Sequence, residues 1–336
     1  MTHCNKIVIY ERQNVSHQTT SNQILNLRHK MNFTKNILAI AVLSSLSVSA
    51  FSADLTLYGK ANLTVQSSDD GEGSFTEVKS NASRIGLKGT HALEDGLEVV
   101  YKAEFQVDLD GDSDDNITSR NQYIGLRGAF GEVLIGKNDT VLKQSQGKTD
   151  LFSDLNGDIK NLFEGENRLS DTVTYKSPKF SGIQLGVTYI AEDSVDGESG
   201  VSLSAVYGDS KLKKSDIYAS VAVDSEVDGY DVIRATVQGK VAGFTLGGML
   251  QTQENVEGTE EMDGVMLSAK YTVNKMTYKG QFQAANFKDG DDQTGITVGV
   301  DYKLAKSTKL FAFYTNFDLD TQEDNEYLAV GVEYNF

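Results

Sequence analysis

The chain has 336 residues, with 31 lysines and arginines against 48 aspartates and glutamates, a formal net charge of −17. A surplus of that size and sign repels polyanions and argues against a nucleic-acid partner. Proline occurs once, tryptophan not at all, and 31 glycines accompany 15 tyrosines and 15 phenylalanines; this mix disfavours a helical protein and suits many strands joined by tight turns.

Residues 1–30 are polar and patternless. A complete secretory signal then begins at Met31: Lys35, an apolar core "ILAIAVL" at 37–43, and small residues ending V-S-A at Ala50. The three regions of an export signal are in order, and the apolar core is too short for a membrane helix. Residues 31–50 are therefore expected to be a signal peptide cleaved after Ala50, with Ala53 as the alternative. Residues 1–30 are expected to be an upstream mis-start or disordered leader, a genuine extension being the other reading. From Asp54 onward 26 basic and 47 acidic residues remain, a net of −21. Cys4, the one cysteine, lies in the leader, so an exported chain does not rely on disulfides.

Alternation of apolar and polar residues starts at once. In "DLTLYGKANLTVQ", Leu55, Leu57, Ala61, Leu63 and Val65 share one face, and Thr56, Tyr58, Lys60, Asn62 and Thr64 the other. "SRIGLKG", "LEVVYKAEFQVD", "IQLGVTY", "DIYASVAVD", "VMLSAKYTV", "MTYKGQFQA" and "TGITVGVDYKL" repeat the pattern, and the chain ends on it, in "EYLAVGVEYNF". Two runs are ambiguous, "RNQYIGLRG" near 120–128 and "KLFAFYTNF" at 309–317. Connections alternate in kind. "EDG", "FG", "KSPKFSG", "VAG", "VNK" and "AKST" are short. "SSDDGEGSFTEVK", "DLDGDSDDN", "AEDSVDGESG", "DSEVDG", "QENVEGTEEM", "KDGDDQ" and "DLDTQEDNE" are longer and acidic.

About sixteen such runs of roughly ten residues, apolar on one face, have a simple physical solution. The apolar faces meet lipid, the sheet closes so that no backbone edge is left unpaired, and the polar faces line an interior. The expected fold is all-β: a transmembrane antiparallel up-and-down β-barrel of about 16 strands, one domain over 54–336. An even count puts both ends on one side, with Phe336 paired to the strand that starts at Asp54.

In order and spacing, "LTLYGK", "SRIGLKG", "SRNQYIGLRGAFGEVLIGK", "TVTYKSPKFSG" and the terminal "VGVEYNF" resemble the general-diffusion porins of Gram-negative outer membranes over essentially all of 54–336. The resemblance implies a trimeric barrel with a water-filled pore for ions and small polar solutes, without cofactors, integral to the outer membrane. It implies that the long third connection, about 138–167, folds into the lumen, placing some of Asp150, Asp154, Asp158, Glu164 and Glu166 on one wall of a constriction. Motif matching places the facing basic wall on Lys60, Arg84, Arg120 and Arg168; three of these also fall on the polar face by alternation, and Arg120 lies in an ambiguous run. The terminal Tyr334 and Phe336 are implied as the signal read by the outer-membrane barrel assembly machinery.

The remaining candidates are weaker. "DLDGDSDDN" alternates Asp108, Asp110, Asp112 and Asp114 around Gly111, but it lacks the downstream glutamate of an EF-hand. Its expected reading is an acidic hairpin, with weak divalent-cation binding that bridges to lipopolysaccharide as the alternative. A serine–histidine hydrolase needs a histidine, and only His91 lies beyond residue 53, so an enzyme is not expected. Most aromatic residues fall on the apolar face, as Tyr101, Phe105, Tyr189, Tyr271 and Tyr278 do, which leaves no aromatic track for a sugar-selective channel; Tyr58 and Tyr218 are inward candidates. A substrate-preferring channel and a structural or adhesive barrel are the alternatives. The net charge of −21 beyond residue 53 attracts cations to the mouth, so mild cation selectivity is expected.

Overall fold

A computed structural model describes residues 53–112, 114–192, 194, 197–319 and 324–336. The leader and the signal peptide, including Ala50, lie outside the described residues. The strands are β1 (Ala53–Asp69), β2 (Phe75–Ser80), β3 (Arg84–Ala92), β4 (Glu98–Val107), β5 (Ile117–Gly128) and β6 (Gly131–Asp139). After a short helix α1 (Val141–Ser145) come β7 (Arg168–Lys176), β8 (Ile183–Ile190), β9 (Gly200–Gly208), β10 (Ile217–Val227), β11 (Tyr230–Val241) and β12 (Phe244–Asn255). The chain finishes with β13 (Glu261–Val273), β14 (Met276–Phe287), β15 (Gln293–Lys303), β16 (Thr308–Asp318) and β17 (Asn325–Asn335).

These strands make sixteen staves. β2 and β3 both pair with β1, as Leu63↔Ser80 and Lys60↔Arg84, and are one stave broken at 81–83, where Ala82 turns to φ 47°. Every neighbour is antiparallel, and β17 returns to pair with β1 from Lys60↔Asn335 to Asp69↔Glu326. The sheet is a closed up-and-down barrel, the class expected from the alternation. Three connections differ from the sequence reading. In "SSDDGEGSFTEVK" (67–79) the first three residues belong to strand β1 and the last five to β2. "DSEVDG" is mostly strand β10, closed by a turn of Asp228 and Gly229, both at positive φ, the geometry of a tight hairpin. The connection 209–216 at the other end is long, and Asp209 organises it by accepting the amides of Lys211, Lys213 and Lys214.

Burial runs opposite to that of a water-soluble domain. Leu57, Ile124, Leu250, Leu328 and Val330 are all about 60% exposed on the outside, while Asn62, Thr64, Gln66 and Ser68 are buried inside. Tyr189, Tyr271 and Tyr278 are exposed outside, as the alternation required. The inside is not polar throughout, however. Phe311, Phe313 and Phe317 of β16 point inward, as do Met249, Met262 and Met266. The run "KLFAFYTNF" is ambiguous in sequence because both of its faces are covered, one by lipid and one by protein.

Closure explains the aromatic end of the chain. Gly59 N–H donates to the Phe336 carbonyl at 3.0 Å, and Phe336 N–H donates to the Gly59 carbonyl at 3.1 Å. The Phe336 ring lies over Gly59 so closely that a Cβ there would stand 2.1 Å from Cζ, and the Tyr334 ring stacks 5.9 Å away. Replacing Gly59 with valine should displace the ring and lower unfolding stability by about 1–3 kcal/mol, the cost of overpacking. Urea unfolding in micelles, read by tyrosine fluorescence or circular dichroism, checks this; an unchanged midpoint would show that the ring does not clasp the seam.

Candidate pore constriction

The connection 140–167 leaves β6, enters the barrel and lies along its inner wall. Thr140 caps α1, its hydroxyl accepting the Lys143 amide at 3.2 Å. The helix is fixed to the wall of β9 and β10: Leu142 N–H donates to Ser202 Oγ, and Tyr218 Oη and Ser220 Oγ donate to the Ser145 carbonyl. Further along, Gln238 donates to the Lys148 carbonyl and Ser268 to that of Thr149. Gly157 comes so near β15 that a Cβ would stand 2.4 Å from Thr297 Oγ1, and its carbonyl accepts Gln281 and Gln283 Nε2 at 3.0 and 2.9 Å.

Apolar contacts complete the docking. Phe152 is fully buried against Phe311, Phe313 and Ala329, and Ile159, Leu162 and Phe163 pack on Met249, Met262, Met266, Ala285 and Phe317. Fully burying one such side chain contributes on the order of 1.5–3 kcal/mol. The far end is held by Arg234 of β11, which has no exposed surface: it donates to Glu166 Oε1 at 2.6 Å, to Gln251 Oε1 at 2.7 Å and to the Glu164 carbonyl at 2.9 Å. The inserted segment is thus a packed part of the wall.

The predicted basic residues gather on the opposite side, and each has an acidic partner. Asp154, at φ 69°, reaches across to Lys60 Nζ at 2.7 Å and also pairs with Arg84. Burial alone would raise the Asp154 pKa, but the charges of Arg84 and Lys60 outweigh it and hold the carboxylate well below its usual range. Arg120 pairs with Glu104 at 2.9 Å, and Glu104 also accepts Tyr58 Oη at 2.7 Å. Arg168 pairs with Asp139 at 2.9 Å. Beside these pairs lies a polar cavity of about 920 Å³, lined by eight lysines and arginines and five carboxylates. Lys79, Lys148 and Lys160 are among them, and no ion pair involving these three is found among the described residues.

The five acids of the inserted segment have different placements. Asp154, Asp158 and Glu166 line the cavity. Asp150 does not: it is buried within the segment, accepting the amides of Phe152 and Ile159. Burial, with Asp158 nearby, pushes the Asp150 carboxyl up to about 8. Asp158 also staples the segment, accepting the amides of Asp154 and Lys160. Glu164 is exposed and contributes its backbone carbonyl to Arg234. Tyr58 and Tyr218 face inward, but both hydroxyls are engaged by the protein. Of the acidic hairpin, Asp110 accepts the amides of Ser80 and Asp112, and no group of three metal-ligating side chains occurs among the described residues.

Two features were missed in the sequence. Arg234 sits on the polar face of an ordinary strand, with no local mark of its burial. The second is a collar of inward lysines toward the short-turn end, on β3, β4, β7, β11, β13 and β14: Lys88, Lys102, Lys176, Lys240, Lys270 and Lys279. A lysine recurring near the short turns was the available signal.

A family profile described as "Gram-negative porin" matches residues 38–336. The chain belongs to that family. Porins are channels without catalytic chemistry, so this is an integral outer-membrane pore protein and no enzyme. The "Major outer membrane protein P.IB" of Neisseria meningitidis serogroup B is 26% identical over 316 residues, covering 82% of this chain and 90% of the relative. Its counterpart in Neisseria lactamica is 26% identical over 321 residues, covering 90% and 89%. Among solved structures, the fold is shared with the "Anion-selective porin from Comamonas acidovorans" (TM-score 0.73, 21% identity, 85% of this chain and 100% of that one). It is shared also with the trimer form of OmpT of Vibrio cholerae (TM-score 0.65, 16% identity, 84% and 99%).

Two tests follow from this geometry. Arg234→Ala strands Glu166 and should cost about 3–5 kcal/mol, as removal of one partner of a buried pair does; Glu166→Gln, which keeps an acceptor, should cost less. Urea midpoints of the two variants check the order. Asp154→Asn should widen the aperture and raise single-channel conductance by roughly 1.2- to 2-fold. Because the Asp154 pKa is depressed on folding, its stabilising contribution is present above about pH 4 and is lost as pH falls below that value. In the folded channel the carboxylate stays ionised until its own depressed value is reached, so acidifying wild type to about pH 4 should leave its conductance distinct from that of the variant; an Asp154→Asn channel identical to wild type at neutral pH would deny the bridge a role in aperture size.

Proposed function

We propose that this porin is a general-diffusion pore whose ion preference is set at the constriction, where Lys60, Arg84, Arg120 and Arg168 face the inserted segment carrying Asp154, Asp158 and Glu166. The observation that carries the reading is the 920 Å³ polar cavity between those two walls. Opposed charges across a wet aperture make a transverse field. Polar solutes orient in it and pass, while greasy solutes must disrupt ordered water and are slowed.

The acidic net charge suggested cations as the favoured ions. The charge at the narrow part supports the opposite preference: eight basic side chains against five acidic ones line the cavity. Selectivity is decided where ions lose most of their hydration space and pass within a Debye length of fixed charge. We therefore assign a weak anion preference, in keeping with the anion-selective porin that shares the fold. Assembly as a homotrimer is in keeping with the trimer form of OmpT. The exposed rings of Tyr334 and Phe336 suit recognition by the barrel assembly machinery, and the acidic loops suit cation bridges to lipopolysaccharide.

The test is planar-bilayer conductance under a potassium chloride gradient. Large, stable steps in groups of three, with a reversal potential on the anion side, are expected. Lys148→Glu combined with Lys160→Glu should move that potential toward cations. A cation-side potential in wild type would restore the net-charge reading, and folded protein giving no steps would mean a closed barrel.

A further inference from the structure

The strand order sorts the charges of this chain along the barrel axis. Hairpin connections alternate between the two ends of an up-and-down barrel. At the long-loop end, leaving aside the inserted segment, the connections 70–74, 108–116, 191–199, 228–229, 256–260, 288–292 and 319–324 carry twenty acidic residues and one lysine, Lys288. At the other end, the connections 93–97, 129–130, 177–182, 209–216, 242–243, 274–275 and 304–307 carry six lysines and four acidic residues. Inside the wall the same division holds. The lysine collar, Lys88, Lys102, Lys176, Lys240, Lys270 and Lys279, lies on the turn half, where it outnumbers the carboxylates it meets there, Glu104 beside Lys102 and Asp301 beside Lys279, and the constriction cavity that Lys102 also lines has a basic surplus.

We infer that the pore is a bipolar conductor that rectifies ion current, passing more when the long-loop side is positive. The physical reason is the junction between a vestibule of fixed negative charge and a throat of fixed positive charge. Mobile cations gather in the first zone and anions in the second. With the long-loop side positive, cations are driven from the acidic vestibule toward the junction and anions from the basic throat toward the same place, so carriers accumulate there. With the opposite sign both are drawn away, and the junction is depleted. The effect needs fixed charges within a Debye length of the ions, which is about 10 Å at 0.1 M salt and about 3 Å at 1 M. A flux bias of this kind acts on any small charged solute and requires no moving part; the packed, hydrogen-bonded inserted segment supplies a fixed junction.

The inference rests on the lumen being an open pore, and the experiment separates the two. Current–voltage curves are recorded from single channels of the full mature protein in a planar bilayer, in symmetric potassium chloride. Orientation is fixed by Ser194→Cys in a long loop, tagged with biotin maleimide and read by streptavidin added to one chamber, the chain having no cysteine beyond residue 53. At about 0.1 M salt the current with the long-loop side positive should exceed that of the reversed sign by about 1.3- to 2-fold, and at about 1 M the ratio should fall to near one, following the screening length. Lys176→Gln combined with Lys270→Gln should lower the ratio at low salt while channels remain open. Absence of steps would mean that the pore reading fails. A symmetric curve at low salt from open channels, a ratio of the opposite sign, or a ratio that persists at 1 M would overturn the inference with the pore reading intact.

Discussion

A backbone amide or carbonyl left unpaired in hydrocarbon costs several kcal/mol, and every large feature of this porin follows from avoiding that cost. An open sheet of sixteen staves would leave two such edges. Pairing β17 to β1 removes both, and the seam is finished by the reciprocal Gly59–Phe336 hydrogen bonds. The Phe336 ring covers Gly59 on the outer side of that seam. Closure also creates the lumen, since residues facing away from lipid have nowhere to point but inward.

The lumen wall then has two jobs, and its composition divides accordingly. Around β1 to β4 it is polar, with Gln66 bonded to Ser68 and Glu77, and Glu104 bonded to Tyr58 and Arg120 beside the cavity. Around β12 to β16 apolar side chains interrupt the polar ones, and the inserted segment packs on them through Phe152, Ile159 and Phe163. Packing draws the segment to one side, and the ion pairs of Asp154 draw its tip to the other. The aperture is what these two attractions leave open. Arg234 belongs to the first job: completely buried, it ends the segment where the next strand must begin.

Charge is the property for which the sum misleads most. Net charge adds exposed loop carboxylates to lysines inside the throat, although the two groups lie in different zones of the pore. Screening makes each zone act on ions only within about 10 Å at ordinary salt. An acidic protein can therefore present a basic constriction, and the collar from Lys88 to Lys279 shows how: alternation turns each lysine inward on the half of the barrel nearer the short turns.

The sequence by itself determined the class of fold, the approximate number of staves and the outward faces. These are local, because period-two alternation and turn chemistry are written within ten residues, whereas the inward course of the long third connection was implied by the resemblance to porins. The break at Ala82, the two-residue turn at Asp228 and the long turn organised by Asp209 escaped it, because local polarity looks the same in a loop and in a strand facing water. Only the tertiary structure decided which acids meet which bases. Asp154 and Lys60 are 94 residues apart, and Arg234 and Glu166 are 68 apart. Nothing in the spacing of Asp150, Asp154 and Asp158 distinguishes the one that crosses the lumen from the two that accept amides of their own segment. That difference arises from the apolar docking of the segment, which fixes its height and its turn, and so decides which side chain is left facing the opposite wall.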